Sequence, residues 1–242
     1  MIFKLHKKGI NIDMKAIKKN STARLVGIAV FSALAFVVAF VCNIIPPIAG
    51  FLSLDVKDGV IAIATFIYGP LAGVAIAFIA AFIELITFST TAWYGFIMNF
   101  ASSAVFALTA GLIYKHKRTL NGALIGFFAA VIATTGIMLL LNIFVTPLYL
   151  TYFVGLPREA ADSQVMELLP KVLLPFNFAK SLLNSSVAML LYKPLAHTVK
   201  RTGLALSTGG EKGISFNRSS ILILIVGAVA LAISVAIFLI LA

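Results

Sequence analysis

The stretch LPFNFAKSLLN, at 174–184, sets carboxamides at Asn177 and Asn184 on either side of an ammonium group at Lys180, inside an otherwise apolar run. At about 100° per residue, Asn177, Lys180, Ser181 and Asn184 fall on one face of a helix. A carboxamide donates and accepts hydrogen bonds, whereas an ammonium group only donates. Inside a bilayer such a stripe is costly unless it faces the bundle interior. The chemistry it offers is recognition. A mainly apolar pocket with a few amides and one cation suits a planar, largely uncharged ligand whose edge carries carbonyl acceptors. A strongly anionic ligand would need more than one buried cation. Asn142, in LLLNIFVTPLYL, offers a further carboxamide near the outer end of its own apolar run. The residues alone leave other roles open. Lys180 could pair with Glu84 as a structural ion pair or snorkel to the interface, and Asn142 could cap a helix end.

Other chemistries find no residues. The apolar runs hold one acid, Glu84, and one lysine, too few for paired acid and base catalysis. No Ser-His-Asp or HExxH arrangement is visible. Gly209-Gly210 lacks the following Lys-Ser/Thr of a phosphate-binding loop, so the chain is not expected to use ATP by itself. His6, His116 and His197 lie in polar flanks and form no metal-ligand cluster, and Cys42 is the single cysteine. The chain is expected not to be an enzyme.

The elements that must position the stripe follow from composition. The chain is 61% hydrophobic and 11% charged, too apolar for a water-soluble domain of 242 residues. Its apolar runs are continuous and several reach the roughly 20 residues that span a bilayer as a helix. The sequence predicts an all-α polytopic membrane protein. Spans are expected at 25–45, ended by Pro46-Pro47, at 93–114, at 120–145, at 171–191 and at 219–242. The stretch 59–88 is long for one helix, and Gly69-Pro70 predicts that it divides into two. That division gathers fifteen of the 19 basic residues on the side of the N-terminus, which the positive-inside bias makes cytoplasmic. Asp55, Asp58, Glu84, Glu159, Asp162 and Glu167 then lie at the outer side, with a long loop at 146–170. Lys180 sits roughly 13 Å below the outer end of its helix. Ala29 with Ala33, and Ala35 with Ala39, are small-residue pairs that let another helix approach closely.

From about 25 to 194 the chain resembles the substrate-binding S component of an energy-coupling-factor vitamin transporter, nearest to the riboflavin-specific group. The likeness rests on the alanine pair of the first helix, the FLSLDVKD loop, YGPLAG between two short helices, NIFVTPLYL, and above all LLPFNFAKSLLN. The resemblance implies a six-helix bundle of the S-component type at 25–194. The flanking segments are then a cytoplasmic basic arm at 1–24 with no removable signal peptide, a polar cytoplasmic linker at 195–218 and an additional transmembrane helix at 219–242 outside the family pattern. It implies ligand contacts from Asn142, Asn177 and Lys180, a backbone contact at Leu54, and help from the loop at 87–91. It implies that Ala29 and Ala33 dock a membrane-embedded coupling subunit, which works with two cytosolic ATPase subunits. Riboflavin would be transported cargo captured at the outer face, and no cofactor is expected. Thiamine, pantothenate or folate are alternative ligands within the family. An unrelated membrane enzyme or structural protein is the alternative outside it.

Overall fold

The computed structural model describes residues 14–201 and 218–241. Among them the chain is helical, with no β-pairing beyond one bridge between Ile48 and Leu52. The helices are α1 (Met14–Cys42), α2 (Lys57–Tyr68), α3 (Pro70–Thr87), α4 (Ala92–His116), α5 (Leu120–Tyr149), α6 (Arg158–Leu168), α7 (Leu174–Arg201) and α8 (Arg218–Leu241). Five of these regions are long and apolar enough to cross a membrane: Ser21–Cys42, Pro70–Thr87, Ala92–His116, Asn121–Val154 and Ile221–Leu241. α2 is too short, and the polar stripe lowers the hydropathy of α7.

The division at Gly69-Pro70 stands. Gly69 takes φ 98°, a left-handed conformation that favours glycine, and Pro70 opens α3, where its missing N–H costs nothing. The expected loop at 146–170 does not. α5 runs through Pro147 to Tyr149 and continues as a π-helical turn, Leu150–Val154, that stops at Gly155 with φ 86°. After the short α6, a second π-helical turn, Leu169–Leu173, leads straight into α7. Proline inside a membrane helix is tolerated because neighbouring groups satisfy the backbone it frees. α1 ends at Cys42, ahead of the proline pair. Residues 14–24 of the basic arm are helical and continuous with α1, and residues 195–201 of the polar linker belong to α7. Residues 1–13 and 202–217 lie outside the described residues.

Polarity is distributed inside out. Leu71, Phe128 and Leu239 are more than two-thirds exposed, while Ser103, Asn142, Asn177, Asn184 and Ser185 are buried. An apolar exterior around a polar-spotted interior is what a lipid solvent selects. One core, around Phe31, Ile61, Ile76 and Phe106, joins α1 to α4. A second, around Leu150, Val165, Phe176 and Phe238, joins the loop after α1 to α5, α6, α7 and α8. One end of the bundle gathers the last turns of α1, α3 and α5 with the first turns of α2, α4 and α7. We call it the loop end.

α2 reaches its depth by close approach to α7. A Cβ at Gly59 would sit 2.8 Å from the Asn184 carbonyl oxygen and 3.2 Å from a Val187 methyl. Gly59→Val is therefore expected to push α2 off α7 and cost about 1–3 kcal/mol. This would appear as a lower thermal midpoint in detergent. Gly136→Ala, which meets nothing within 4 Å, serves as the unchanged control.

Candidate ligand-binding site

A cavity opens at the loop end between the loop after α1 and helices α4, α5 and α7. It encloses about 710 Å3, counted out to its open mouth. Its walls are largely aromatic and aliphatic: Phe51 from the loop, Tyr94 and Met98 from α4, Tyr149 from α5 and Phe176 from α7. Polar groups enter at a few points, namely Asn142, Thr146, Asn177, Lys180, Asn99 and Thr91. A smaller cavity of about 450 Å3 adjoins it and shares Ser53, Thr91 and Asn99. Leu54, Asp55, Glu84 and Ser89 line that one.

The loop is shaped to present these walls. Ile48 and Leu52 exchange backbone hydrogen bonds of 2.9 and 3.0 Å across a tight reversal in which Ala49 and Gly50 take positive φ. This turns Phe51, Leu52 and Ser53 onto the cavity and carries Asp55 inward. Asp55 is then held from three sides. Its Oδ2 accepts from Lys180 Nζ at 2.8 Å and lies 3.5 Å from Lys57 Nζ, and its Oδ1 accepts from the Lys57 backbone N–H at 3.2 Å. Burial alone would raise the Asp55 carboxyl, but the ammonium groups of Lys180 and Lys57 outweigh it and hold it at about 2. Lys57, at the start of α2, donates to Glu84 Oε2 at 2.8 Å, which also receives Asn99 Nδ2 at 3.3 Å. Ser103 donates to Asp58. Glu84 Oε1 has no partner among the described residues.

Asn184 ties α2 to this network. Its Oδ1 accepts the Gly59 N–H at 2.7 Å, and its Nδ2 donates to the carbonyls of Asp55 and Lys180, both at 3.0 Å. The first turn of α2 has no cap from its own N-cap residue. Asp55 and Asn184 satisfy two of the orphan amides instead.

The three predicted polar contacts line one cavity. Asn142 donates to the Met138 carbonyl at 2.7 Å and accepts from Thr146 at 2.8 Å, leaving one N–H and one lone pair without a partner among the described residues. Asn177 donates one N–H to the Leu173 carbonyl at 2.7 Å, and its Oδ1 has no partner among the described residues. Lys180 donates to Asp55 and, at 3.1 Å, to the Ser53 carbonyl, which leaves its third N–H. Leu54 is on the wall of the smaller cavity, next to Ser53, and is absent from the larger one. Of the loop at 87–91, Thr91 reaches both cavities, whereas Ser89 and Thr90 reach only the smaller. Lys180 does not pair with Glu84: the acid on Lys180 is Asp55, and Glu84 belongs to Lys57.

The family described as ECF transporter, substrate-specific component matches residues 23–195. The chain belongs to that family. This S component is 35% identical over 181 residues to the riboflavin transporter RibU of Staphylococcus aureus (strain TCH60), which covers 74% of this chain and 93% of the relative. It is 28% identical over 172 residues to the riboflavin transporter FmnP of Bacillus subtilis (strain 168), covering 70% and 90%. A solved chain from a study of the structure and mechanism of the S component of a bacterial ECF transporter aligns with TM-score 0.58 at 35% identity, over 75% of this chain and 99% of that one. The protein is thus a multi-pass membrane component of a transporter, and its family is not one of enzymes.

Two further features of this S component bear on function. On α1 the alanine pairs divide: Ala35 and Ala39 are buried in the bundle, while Ala29 and Ala33 are exposed. α8 lies outside the family match, packs along α7, and sets Phe238 edge-on to Phe176 of the cavity wall at 5.7 Å. Neither Lys57 nor Asp55 is among the site residues expected from the sequence, yet Asp55 holds Lys180 and Lys57 holds Asp55. The signal was three charges in LDVKD at the mouth of an apolar helix, with no i,i+4 partners to neutralise them.

Breaking a buried ion pair by removing one partner strands the other, at about 3–5 kcal/mol. Lys57→Met should lower the thermal midpoint sharply, and the double change Lys57→Met with Glu84→Gln should recover a substantial part of the loss. Equal destabilisation of single and double variants would show that Lys57 stabilises the fold other than through Glu84.

Proposed function

We propose that this S component captures riboflavin at the outer face of the cell membrane and carries it inward as part of an ATP-driven importer. The observation that carries the reading is the convergence of Asn142, Asn177 and Lys180, from α5 and α7, on one half-open cavity walled by aromatic rings. A tricyclic ring with carbonyl and imide edges matches that inventory. The ring surface is apolar and would lie against Phe51, Tyr94, Tyr149 and Phe176, where aromatic contact adds to area burial. The polar edge would take the spare N–H of Asn142, the unused Oδ1 of Asn177 and the third N–H of Lys180. Leu54 follows Ser53 directly, so a ligand reaching into the smaller cavity meets its backbone. The kinship to proteins named as riboflavin transporters supports the same ligand.

Orientation follows from charge. The basic residues Arg24, Lys115, Lys117 and Arg118 lie at the end of the bundle opposite the cavity. The positive-inside bias puts that end, and the N-terminus, in the cytoplasm. The cavity then faces outward. An S component needs a source of energy, here a membrane-embedded coupling subunit with two cytosolic ATPases. The exposed Ala29 and Ala33 form a small-residue strip on α1 suited to close helix contact with the coupling subunit.

Lys180→Ala or Asn177→Ala is expected to weaken riboflavin binding by about 1–3 kcal/mol, the cost of stranding a buried polar partner. Quenching of flavin fluorescence measures it, and unchanged affinity in both variants would reject the pocket as drawn. Ala29→Trp is expected to leave that binding intact and abolish riboflavin uptake in cells that hold the coupling subunit and ATPases. Normal uptake would remove α1 from the docking surface.

A further inference from the structure

Among the described residues, the loop end contains no unmatched cation. Four of the 19 basic residues lie outside the basic end, the arm and the linker. Each is paired: Lys57 with Glu84 at 2.8 Å, Lys180 with Asp55 at 2.8 Å, Arg158 with Asp162 at 3.0 Å and Lys171 with Glu167 at 2.9 Å. Asp58 and Glu159 are carboxylates in excess of these pairs. Among the described residues, Lys180 is the only charged side chain on the wall of the larger cavity. Lys57 is buried and Lys180 half-buried, and the ammonium group of each is matched by a buried carboxylate.

We propose that Asp55 is a specificity-determining residue: by pairing with Lys180 it turns the cavity's lysine into a neutral, directional donor, so that the site holds an uncharged ring ligand and disfavours its anionic ester. The inference rests on the riboflavin reading and adds the charge class of the ligand. A bare lysine in an apolar wall would attract a phosphate as strongly as it orients a carbonyl. With Asp55 Oδ2 bound to Nζ, the pair presents almost no net charge, while the unused N–H still points a hydrogen bond. The smaller cavity does not provide an escape. A charged substituent directed there meets the carboxylates of Asp55 and Glu84 on its wall. Whichever way the ligand lies, its nearest formal charges are balanced or negative. In a site of low dielectric, an added anion is therefore penalised well beyond its cost in water.

The test is the ratio of dissociation constants for riboflavin 5′-phosphate and riboflavin, measured by fluorescence quenching on the full chain in detergent. Wild-type protein should prefer riboflavin. Asp55→Asn should move the ratio toward the phosphate ester by about ten-fold, equivalent to about 1.4 kcal/mol. Asp55→Glu, which keeps the charge, should leave the ratio near the wild-type value. Should Asp55→Asn not fold because it strands Lys180, the same shift is read between Lys180→Gln and the double variant Lys180→Gln with Asp55→Asn. Removal of the aspartate must favour the anion in that background too. A ratio unmoved by loss of Asp55, in proteins that still bind riboflavin, overturns the inference. Wild-type protein that binds no riboflavin sinks the functional reading itself.

Discussion

The structure depends on one interaction between a loop and a helix. Lys180 of α7 bonds the Asp55 carboxylate and the Ser53 carbonyl of the loop after α1, far from it in sequence. That contact closes the wall of the cavity, ties the lysine to the loop and sets the loop's Phe51 on the cavity wall. It holds because charges buried away from water cannot remain unpaired. Once Asp55 is inside, Lys57 follows it, and Glu84 and Asn99 follow Lys57. The network is a chain of obligations, each group admitted to a dry interior on condition that the next one meets it.

The short helix makes this arrangement possible. Twelve residues of α2 extend about 18 Å, well under the thickness of a bilayer core. Its first turn therefore lies inside the protein, where free amides need partners. Asn184 and Asp55 supply them, and Gly59 lets α7 come close enough for Asn184 to do so. The same polar stripe thus serves two ends. Asn177 and Lys180 face the cavity, whereas Asn184, one turn further on, is spent on α2.

Much of this was legible from the chain. Gly69-Pro70 is a local signal, since the conformation it enforces does not depend on distant residues. The stripe in α7 is visible as periodicity, and the family resemblance points to its Asn177 and Lys180, both of which line the cavity. The expected loop at 146–170 is largely helical instead: its cluster of charged residues is polar enough for a loop, but α5 continues through Pro147, which neighbouring groups in a membrane protein tolerate, and the charges sit on the short α6. The actual partner of Lys180 was not legible, and the open alternative of a pair with Glu84 is not the one that forms. Glu84 looked like the only acid in the apolar runs, and nothing local shows that the α2–α3 hairpin returns it to Lys57, nor that the loop folds Asp55 inward. The two alanine pairs of α1 look alike in sequence, and only packing separates the buried Ala35 and Ala39 from the exposed Ala29 and Ala33.

Capture of riboflavin needs a dry, ring-sized space at the exterior end of the membrane, with polar groups from two helices directed into it. The visible absorption spectrum of wild-type protein, purified from cells grown on riboflavin, tests this most directly. A stoichiometric flavin band that persists through washing and leaves only on denaturation is the predicted result. Colourless, folded protein that also fails to take up added riboflavin would contradict it.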